Sequence, residues 1–344
     1  MDRKSFLSAT GTLVAGLTLP ASSVWAGTAS RDEETALRRP PYLQPGDTIG
    51  ITAPAGFITA EEIKPAVDLL QSWGYKVRTG DTIGQKDFTF GGTDEQRLSD
   101  LQRMLDDREI KAILCARGGY GAIRIVDRIN WSEFRAHPKW VIGFSDITVL
   151  HSHLHTQCKV ASIHSKMTNS FPDDWTKAEP IQVETINSIR DALSGKTMNY
   201  TATPNVQNRT GTAEGILLGG NLKTLETLTG SASDIRTDGK ILFVEDTGEY
   251  LYSIDRMFWN LKRTGKLDRL KALLVGGFKI KPDDPGEEFG RTVPDIVLEK
   301  VREFSYPVCF DFPVGHQKAN FALKCGVPHR LTVEENSVRL IDIS

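Results

Sequence analysis

From Asp47 onward, short β-branched runs alternate with segments of helical period, and this alternation limits the fold more than any other feature of the chain. Thr48 to Ala53 is a β-branched run that stops at Pro54-Ala55-Gly56. Thr59-Ala60-Glu61-Glu62 has the form of a capping box, and Ile63, Val67 and Leu70 follow on one helical face. Lys76 to Arg78 reads as a short strand. Thr93-Asp94-Glu95-Gln96 is a second capping box, followed by Leu98, Leu101 and Leu105 at helical spacing. Ile110 to Ala116 is an apolar strand that Gly118-Gly119-Tyr120-Gly121 interrupts before an expected helix. Trp140 to Phe144 is a further strand, with Asp146 expected to cap the helix after it. Parallel neighbours need crossovers, and crossovers of one hand place helices on both faces. The order therefore predicts an α/β fold with a doubly wound, mostly parallel sheet.

Asn169 to Arg209 is polar and irregular and reads as a linker, with a helix near Ile181 to Leu193. The second half is richer in strands: Lys240 to Glu245, Ala272 to Phe278, Val308 to Phe312 and Arg330 to Val333. Between the first two, Ser253 is expected to cap a helix that turns Ile254, Met257, Phe258 and Leu261 inward and ends at Gly265. The chain thus divides into a lead-in over 27–45, an N-terminal α/β domain over 46–168, a linker over 169–209 and a C-terminal domain over 210–344. Residues 1–26 read as an export signal: Arg3 and Lys4 precede a small, apolar stretch, and Val24-Trp25-Ala26 resembles a cleavage site. Arg3-Lys4-Ser5-Phe6-Leu7 also resembles a twin-arginine signal with Lys in the second place. Export to the periplasm is the expectation. No window approaches the ~20 apolar residues that span a bilayer, so no integral membrane segment is expected after signal removal.

Lys plus Arg number 42 against 44 for Asp plus Glu, and this lack of a basic surplus argues against a nucleic-acid partner. The four cysteines, Cys115, Cys158, Cys309 and Cys325, are too scattered for a disulfide framework; they read as buried thiols, although export would permit one bridge.

Four segments could carry chemistry. Ala116-Arg117-Gly118-Gly119-Tyr120-Gly121-Ala122 joins a strand to a helix start through a glycine-rich turn whose amides suit a phosphate, a carboxylate or an oxyanion. No Gly-x-Gly-x-x-Gly opens the first crossover, which disfavours a dinucleotide fold. Gly143-Phe144-Ser145-Asp146-Ile147-Thr148 lies where the next parallel strand meets its helix, so it could share the same sheet edge; Ser145 and Asp146 are equally open to a capping role. Phe243-Val244-Glu245-Asp246 ends an apolar strand with two carboxylates. Side chains alternate along a strand, so Glu245 is the better inward candidate and Asp246 the start of a loop. Asp311-Phe312-Pro313-Val314-Gly315-His316 presents a histidine after a rigid turn, a placement that suits proton transfer. His151 and His155 in His-Ser-His-Leu-His share a helical face, but the Glu of His-Glu-x-x-His is missing, and a metal site there is disfavoured.

Together these segments resemble the LD-carboxypeptidase family of serine peptidases, which includes muramoyltetrapeptide carboxypeptidases and microcin-immunity peptidases. The resemblance runs from about Gly46 to Thr332. It also takes in Gly46-Asp47-Thr48-Ile49, Gly219-Gly220-Asn221-Leu222 and Ile254-Asp255-Arg256-Met257. It implies an N-terminal α/β domain with a nucleophile elbow and a C-terminal domain around a small β-barrel. The implied reaction removes the terminal D-alanine from a peptidoglycan-derived tetrapeptide, without metal or organic cofactor, and the implied assembly is a homodimer. The family's catalytic Glu and His correspond to Glu245 and His316. Backbone amides at Gly119 and near Ala122 would bind the oxyanion, with Tyr120, Ser145 and Asp146 beside them and Arg117 or Arg256 facing the substrate carboxylate.

By this resemblance the family nucleophile would follow Gly-Gly-x-Gly, a position that is Ala122 here, and alanine has no atom able to attack a carbonyl. Three readings follow. The alanine is an engineered knockout; or the chain is a natural muropeptide binder that does not cut; or another hydroxyl attacks, with Ser145 the nearest by motif. Immunity against a peptide–nucleotide antibiotic is a further alternative on the same fold.

Overall fold

The computed structural model describes residues 37–344, so the expected export signal and the beginning of the lead-in lie outside the described residues. Five strands, β1 (Thr48–Thr52), β2 (Lys76–Thr79), β3 (Ile110–Cys115), β4 (Trp140–Gly143) and β5 (Ser162–His164), pair in parallel in the order β2-β1-β3-β4-β5. The order reverses between β1 and β3, the place where a parallel sheet opens a crevice at its carboxyl edge. Both capping boxes form. Thr59 and Glu62 exchange bonds of 3.2 and 2.8 Å at the start of α1 (Ala60–Ser72), and Thr93 and Gln96 do the same at α2 (Asp94–Asp106).

The glycine-rich segment after β3 does not open an α-helix. It passes into two 3₁₀ turns, Ala122–Arg124 and Val126–Arg128, before the short α3 (Ser132–Ala136). Asp146 does not cap the helix that follows β4. It lies in a 3₁₀ turn, Ser145–Ile147, that runs into α4 (Thr148–His153), and its carboxylate reaches back to another loop. The polar stretch 169–209 contains α5 (Pro180–Leu193) and a strand, β6 (Asn199–Ala202), that joins the second sheet.

That second sheet contains β7 (Gly211–Asn221), β8 (Lys240–Glu249), β9 (Ala272–Ile280) and β10 (Val308–Cys309), which pair in parallel with one another in the order β10-β9-β8-β7. The carboxyl ends of β7 and β8 are followed by α6 (Leu222–Thr227) and α7 (Leu251–Arg263). α7 starts after Tyr250, so Ser253 lies inside it and is not its cap. β11 (Leu323–Cys325) leaves this half of the chain to pair antiparallel with β5 of the first sheet. β12 (Pro328–Val333) and β13 (Val338–Asp342) return to the second sheet, whose order is β10-β9-β8-β7-β12-β13-β6. No ladder joins its outer strands among the described residues; a single bridge, Arg209 to Val308, approaches that closure. The fold is therefore mixed α/β with two mixed sheets, and the second sheet is open where a small barrel was expected.

Strand alternation explains how the two sheets hold together. Ile49, Leu114 and Ile142 point from the first sheet into the same core as Leu217, Phe243 and Leu274 from the second. The intervening residues Ile113 and Val141 face a second core with Ile125 and Phe134, while Leu242, Val244 and Val275 face a third against α7. Burying a side chain such as Phe243 stabilises the fold by about 1.5–3 kcal/mol relative to leaving it exposed. The shared middle core thus locks the two carboxyl edges in one arrangement. All four cysteines are free and buried.

Candidate active site

Glu245 sits on β8 in register with Asn221 of β7, and is fully buried. Its Oε2 accepts a 2.5 Å hydrogen bond from Nδ1 of His316, which the chain delivers on the turn after Phe312-Pro313-Val314. Gly315 makes that approach feasible. Its φ of +99° favours glycine, and a Cβ there would stand 2.4 Å from Cβ of Glu245. Burial pushes the Glu245 carboxyl up, but the facing imidazoles of His164 and His316 outweigh it and hold it below the usual carboxylate range. Glu245 is therefore an anion that can fix the His316 tautomer with the proton on Nδ1 and leave Nε2 available as a base. The sequence reading joined these two residues, and the structure brings them together.

His316 is 18% exposed, and its ring lies 4.9 Å from that of Phe144, the residue before Ser145. Ser145 adopts φ +62°, a left-handed conformation that costs a non-glycine residue roughly 1–2 kcal/mol. A sharp, strained strand-to-helix turn is the geometry that lifts a serine hydroxyl clear of the sheet. Ser145 is half-buried, on the lining of a 340 Å³ cavity shared with Gly119, Tyr120, Asp146, Asn221 and Asp246. Glu245 and His316 are not on that lining; the His316 ring packs on Phe144, the residue before Ser145. No hydrogen bond joins Ser145 Oγ to His316 among the described contacts; such bonds often tighten only when substrate is in place.

Ala122 is placed differently. It is fully buried in the core with Cys115, Ile125 and Ile147, and its amide N–H donates to Asp146 Oδ2 at 2.8 Å. Neither its methyl nor its amide is presented to the cavity, so the expected oxyanion donor near Ala122 is already engaged. Burial raises the Asp146 carboxyl to about 6, against the opposing pull of the Ala122 amide and Arg97. Gly119 and Tyr120 are exposed at the cavity rim. Arg117 is exposed and donates to the Phe57 carbonyl at 3.1 Å. Arg256 is exposed on α7 with its guanidinium over the Tyr252 ring, and Asp255 pairs with Lys300 rather than with Arg256. Neither arginine lines the cavity.

Asp246 does not begin a loop. It is buried within β8, where it accepts from Asn221 Nδ2 at 3.0 Å and from the Lys223 and Thr247 amides at 2.9 and 2.7 Å. It therefore ties the start of α6 to the strand that bears Glu245. Burial, helped by the neighbouring Glu245 charge, raises its carboxyl to about 6. His151 and His155 each commit Nε2 within the protein, at 2.9 Å to the Gly143 carbonyl and to Ser162 Oγ, and burial drives both below the usual imidazole range.

Arg97 was missed by the sequence reading. It is fully buried and donates to the Pro54 and Gly121 carbonyls at 2.7 and 2.8 Å, binding the loops after β1 and β3 together. The available signal was its position one turn before Leu101 on the apolar face of α2. Lys166, also missed, is half-buried beside Phe144 and donates to the Gln317 carbonyl at 2.8 Å; burial lowers its ammonium while Glu245 opposes that shift.

The LD-carboxypeptidase N-terminal domain family matches residues 49–165, and the LD-carboxypeptidase C-terminal domain family matches residues 214–331. A probable murein peptide carboxypeptidase of Bacillus subtilis is 33% identical over 306 residues, which cover 87% of this chain and 93% of that protein. A murein tetrapeptide carboxypeptidase of Pseudomonas aeruginosa is 29% identical over 286 residues, covering 81% and 91%. Among solved structures, muramoyltetrapeptide carboxypeptidase from Oxalobacter formigenes superposes with a TM-score of 0.73 at 27% identity, covering 86% of this chain and 98% of that one. Two matched domains in order, with relatives covered almost end to end, place this chain in the LD-carboxypeptidase family.

Proposed function

We propose that this protein is a serine LD-carboxypeptidase that removes the terminal D-alanine from a peptidoglycan-derived tetrapeptide, with Ser145 rather than the Ala122 position supplying the nucleophile. The observation that carries this reading is the left-handed φ of +62° at Ser145, beside a ring contact between its neighbour Phe144 and the His316 imidazole that Glu245 orients. In the proposed reaction His316 Nε2 takes the Ser145 hydroxyl proton as Oγ attacks the carbonyl carbon of the penultimate residue. The buried Glu245 anion stabilises the imidazolium. His316 then returns the proton to the departing D-alanine nitrogen, and water repeats the sequence on the acyl-enzyme. The Asp146 amide, which follows the nucleophile, and the Gly119 amide are the candidate oxyanion donors, since neither donates a hydrogen bond among the described residues and a Cβ on Gly118 would stand 3.1 Å from Ser145 Oγ. The relatives' names support murein peptides as the substrate class.

The test is to incubate the protein with a muramoyl tetrapeptide and weigh the products, beside Ser145→Ala. Loss of one D-alanine with the parent chain, and none with Ser145→Ala, is the expected result. Saturable binding with no mass change by the parent chain would establish a non-catalytic binder instead. Delivery to the periplasm, read from residues 1–26, is part of the same proposal, and cell fractionation tests it.

A further inference from the structure

The Glu245 carboxylate has two oxygens, and the catalytic arrangement above uses only Oε2. The other, Oε1, is buried with no hydrogen-bond partner among the described residues. A buried carboxylate oxygen left without a donor is costly, so an unpartnered polar group facing it is informative. His164 Nε2 stands 3.9 Å from it, and both ring nitrogens of this fully buried histidine are also without partners among the described residues. His164 ends β5 in register with Gly143 of β4, two residues before Ser145. Its ring is wedged edge-on against Phe144 and Phe243, at centroid separations of 5.9 and 5.0 Å. One imidazole therefore touches the strand end that bears the serine, the ring that packs on His316, and the carboxylate that orients His316.

Building on the peptidase reading, we propose that His164 is a second positioning residue, which donates Nε2–H to Glu245 Oε1 and clamps the carboxylate between two imidazoles. A rotation that shortens the gap by about 1 Å brings the pair within hydrogen-bond range. With both oxygens held, the plane of the carboxylate, and with it the aim of His316, is set by β5 as well as by the His316 turn. The other ionisable groups facing the cluster leave this role to His164. Lys166 commits its ammonium to the Gln317 carbonyl, and Asp246 bonds to Asn221 on the opposite face of β8. His151, with its ring 6.4 Å from that of His164, is kept neutral by burial, and the Cys325 thiol on β11 is pushed up to about 12 and is also neutral.

Two measurements test the proposal. The first is the imidazole ¹⁵N spectrum of the intact parent protein at neutral pH, which does not depend on turnover. His164 carrying its proton on Nε2 is the expected result; a neutral ring protonated on Nδ1 alone overturns the proposal whether or not the chain is a peptidase. The second compares His164→Leu with His164→Gln in turnover. Leucine removes the donor from an apolar pocket, and kcat is expected to fall roughly tenfold to a hundredfold with KM nearly unchanged. The acid limb of the kcat/KM profile is expected to move to higher pH, because a less stabilised Glu245 anion holds the imidazolium more tightly. Glutamine, which retains an N–H donor, is expected to recover most of the loss. Unchanged kcat and acid limb in a folded His164→Leu protein overturn the proposal. A parent chain that cleaves no tetrapeptide counts against the peptidase reading alone, and the tautomer measurement then decides this one.

Discussion

Two neighbouring crossings at the carboxyl edge of the first sheet solve the same steric problem in different ways. After β3 the chain turns through glycines, with Gly119 at φ +96° and Gly121 at +147°, and then tucks Ala122 into the core. After β4 it makes a comparably sharp turn without glycine, leaving Ser145 at φ +62° on the cavity wall. The glycine turn carries little conformational penalty but has no side chain to offer. The serine turn carries strain and keeps a hydroxyl, which is where a reactive group is useful. Asp146 joins the two by accepting the Ala122 amide, so the glycine loop serves as a brace for the serine turn.

The largest effect expected from this contrast concerns exchanging the two side chains. A Ser145→Ala/Ala122→Ser double variant keeps a serine in the region but is expected to remain about 10⁶-fold below the parent chain in kcat, near the residual rate that binding and the oxyanion donors alone supply. Turnover restored by Ala122→Ser would reverse the comparison.

The brace itself is expected to be sensitive to pH. The Asp146 carboxyl is raised from 3.8 to about 6 in the folded protein, so the native state binds more protons than the unfolded chain between these values. Stability from this group is therefore full below about pH 4 and is lost as pH rises through about 6. Asp146→Asn retains an acceptor for the Ala122 amide and is expected to be more stable than the parent by roughly 1–3 kcal/mol at pH 7, with the gap closing below pH 4. Denaturant melts at the two pH values measure it, and a constant gap would count against the assignment.

The glycine turn has its own limit. Gly121→Ala would put a Cβ 2.6 Å from the buried Arg97 guanidinium at a φ that L-residues rarely adopt, and a loss of about 1–3 kcal/mol is expected. The smallest effect is at the serine turn. Ser145→Gly is expected to be inactive yet about 1 kcal/mol more stable than Ser145→Ala, because glycine relieves the left-handed strain. Equal melting of those two variants would show that the turn stores no strain.

Local signals in the chain were read well where one turn of structure settles them. The capping boxes at Thr59 and Thr93 depend on groups three residues apart, and both form. Glu245 stood out because a carboxylate closing the run Ile241 to Val244 has few reasons to be there unless it is partnered. The glycines after Ala116 point to a sharp turn, and the family resemblance sets the nucleophile position at Ala122, but neither shows that Ala122 is buried while Ser145 lines the cavity. His164 gave no usable signal, because one histidine in a short strand looks like any other core residue until its neighbours are known. Residue type alone suggests caps at Asp146 and Ser253, whereas tertiary partners and helix register give them other places.

The alternating periods, the two capping boxes at Thr59 and Thr93 and the ordered family blocks were determined by the sequence alone, because each depends on interactions within a few residues or on motif identity. The tertiary structure decided the rest. Only it brings β11 beside β5, sets Glu245 against a histidine 71 residues away, and forces Ser145 rather than Ala122 to hold its side chain at the cavity. Those outcomes depend on how two sheets share one core, and packing between segments distant in the chain leaves no local pattern to read.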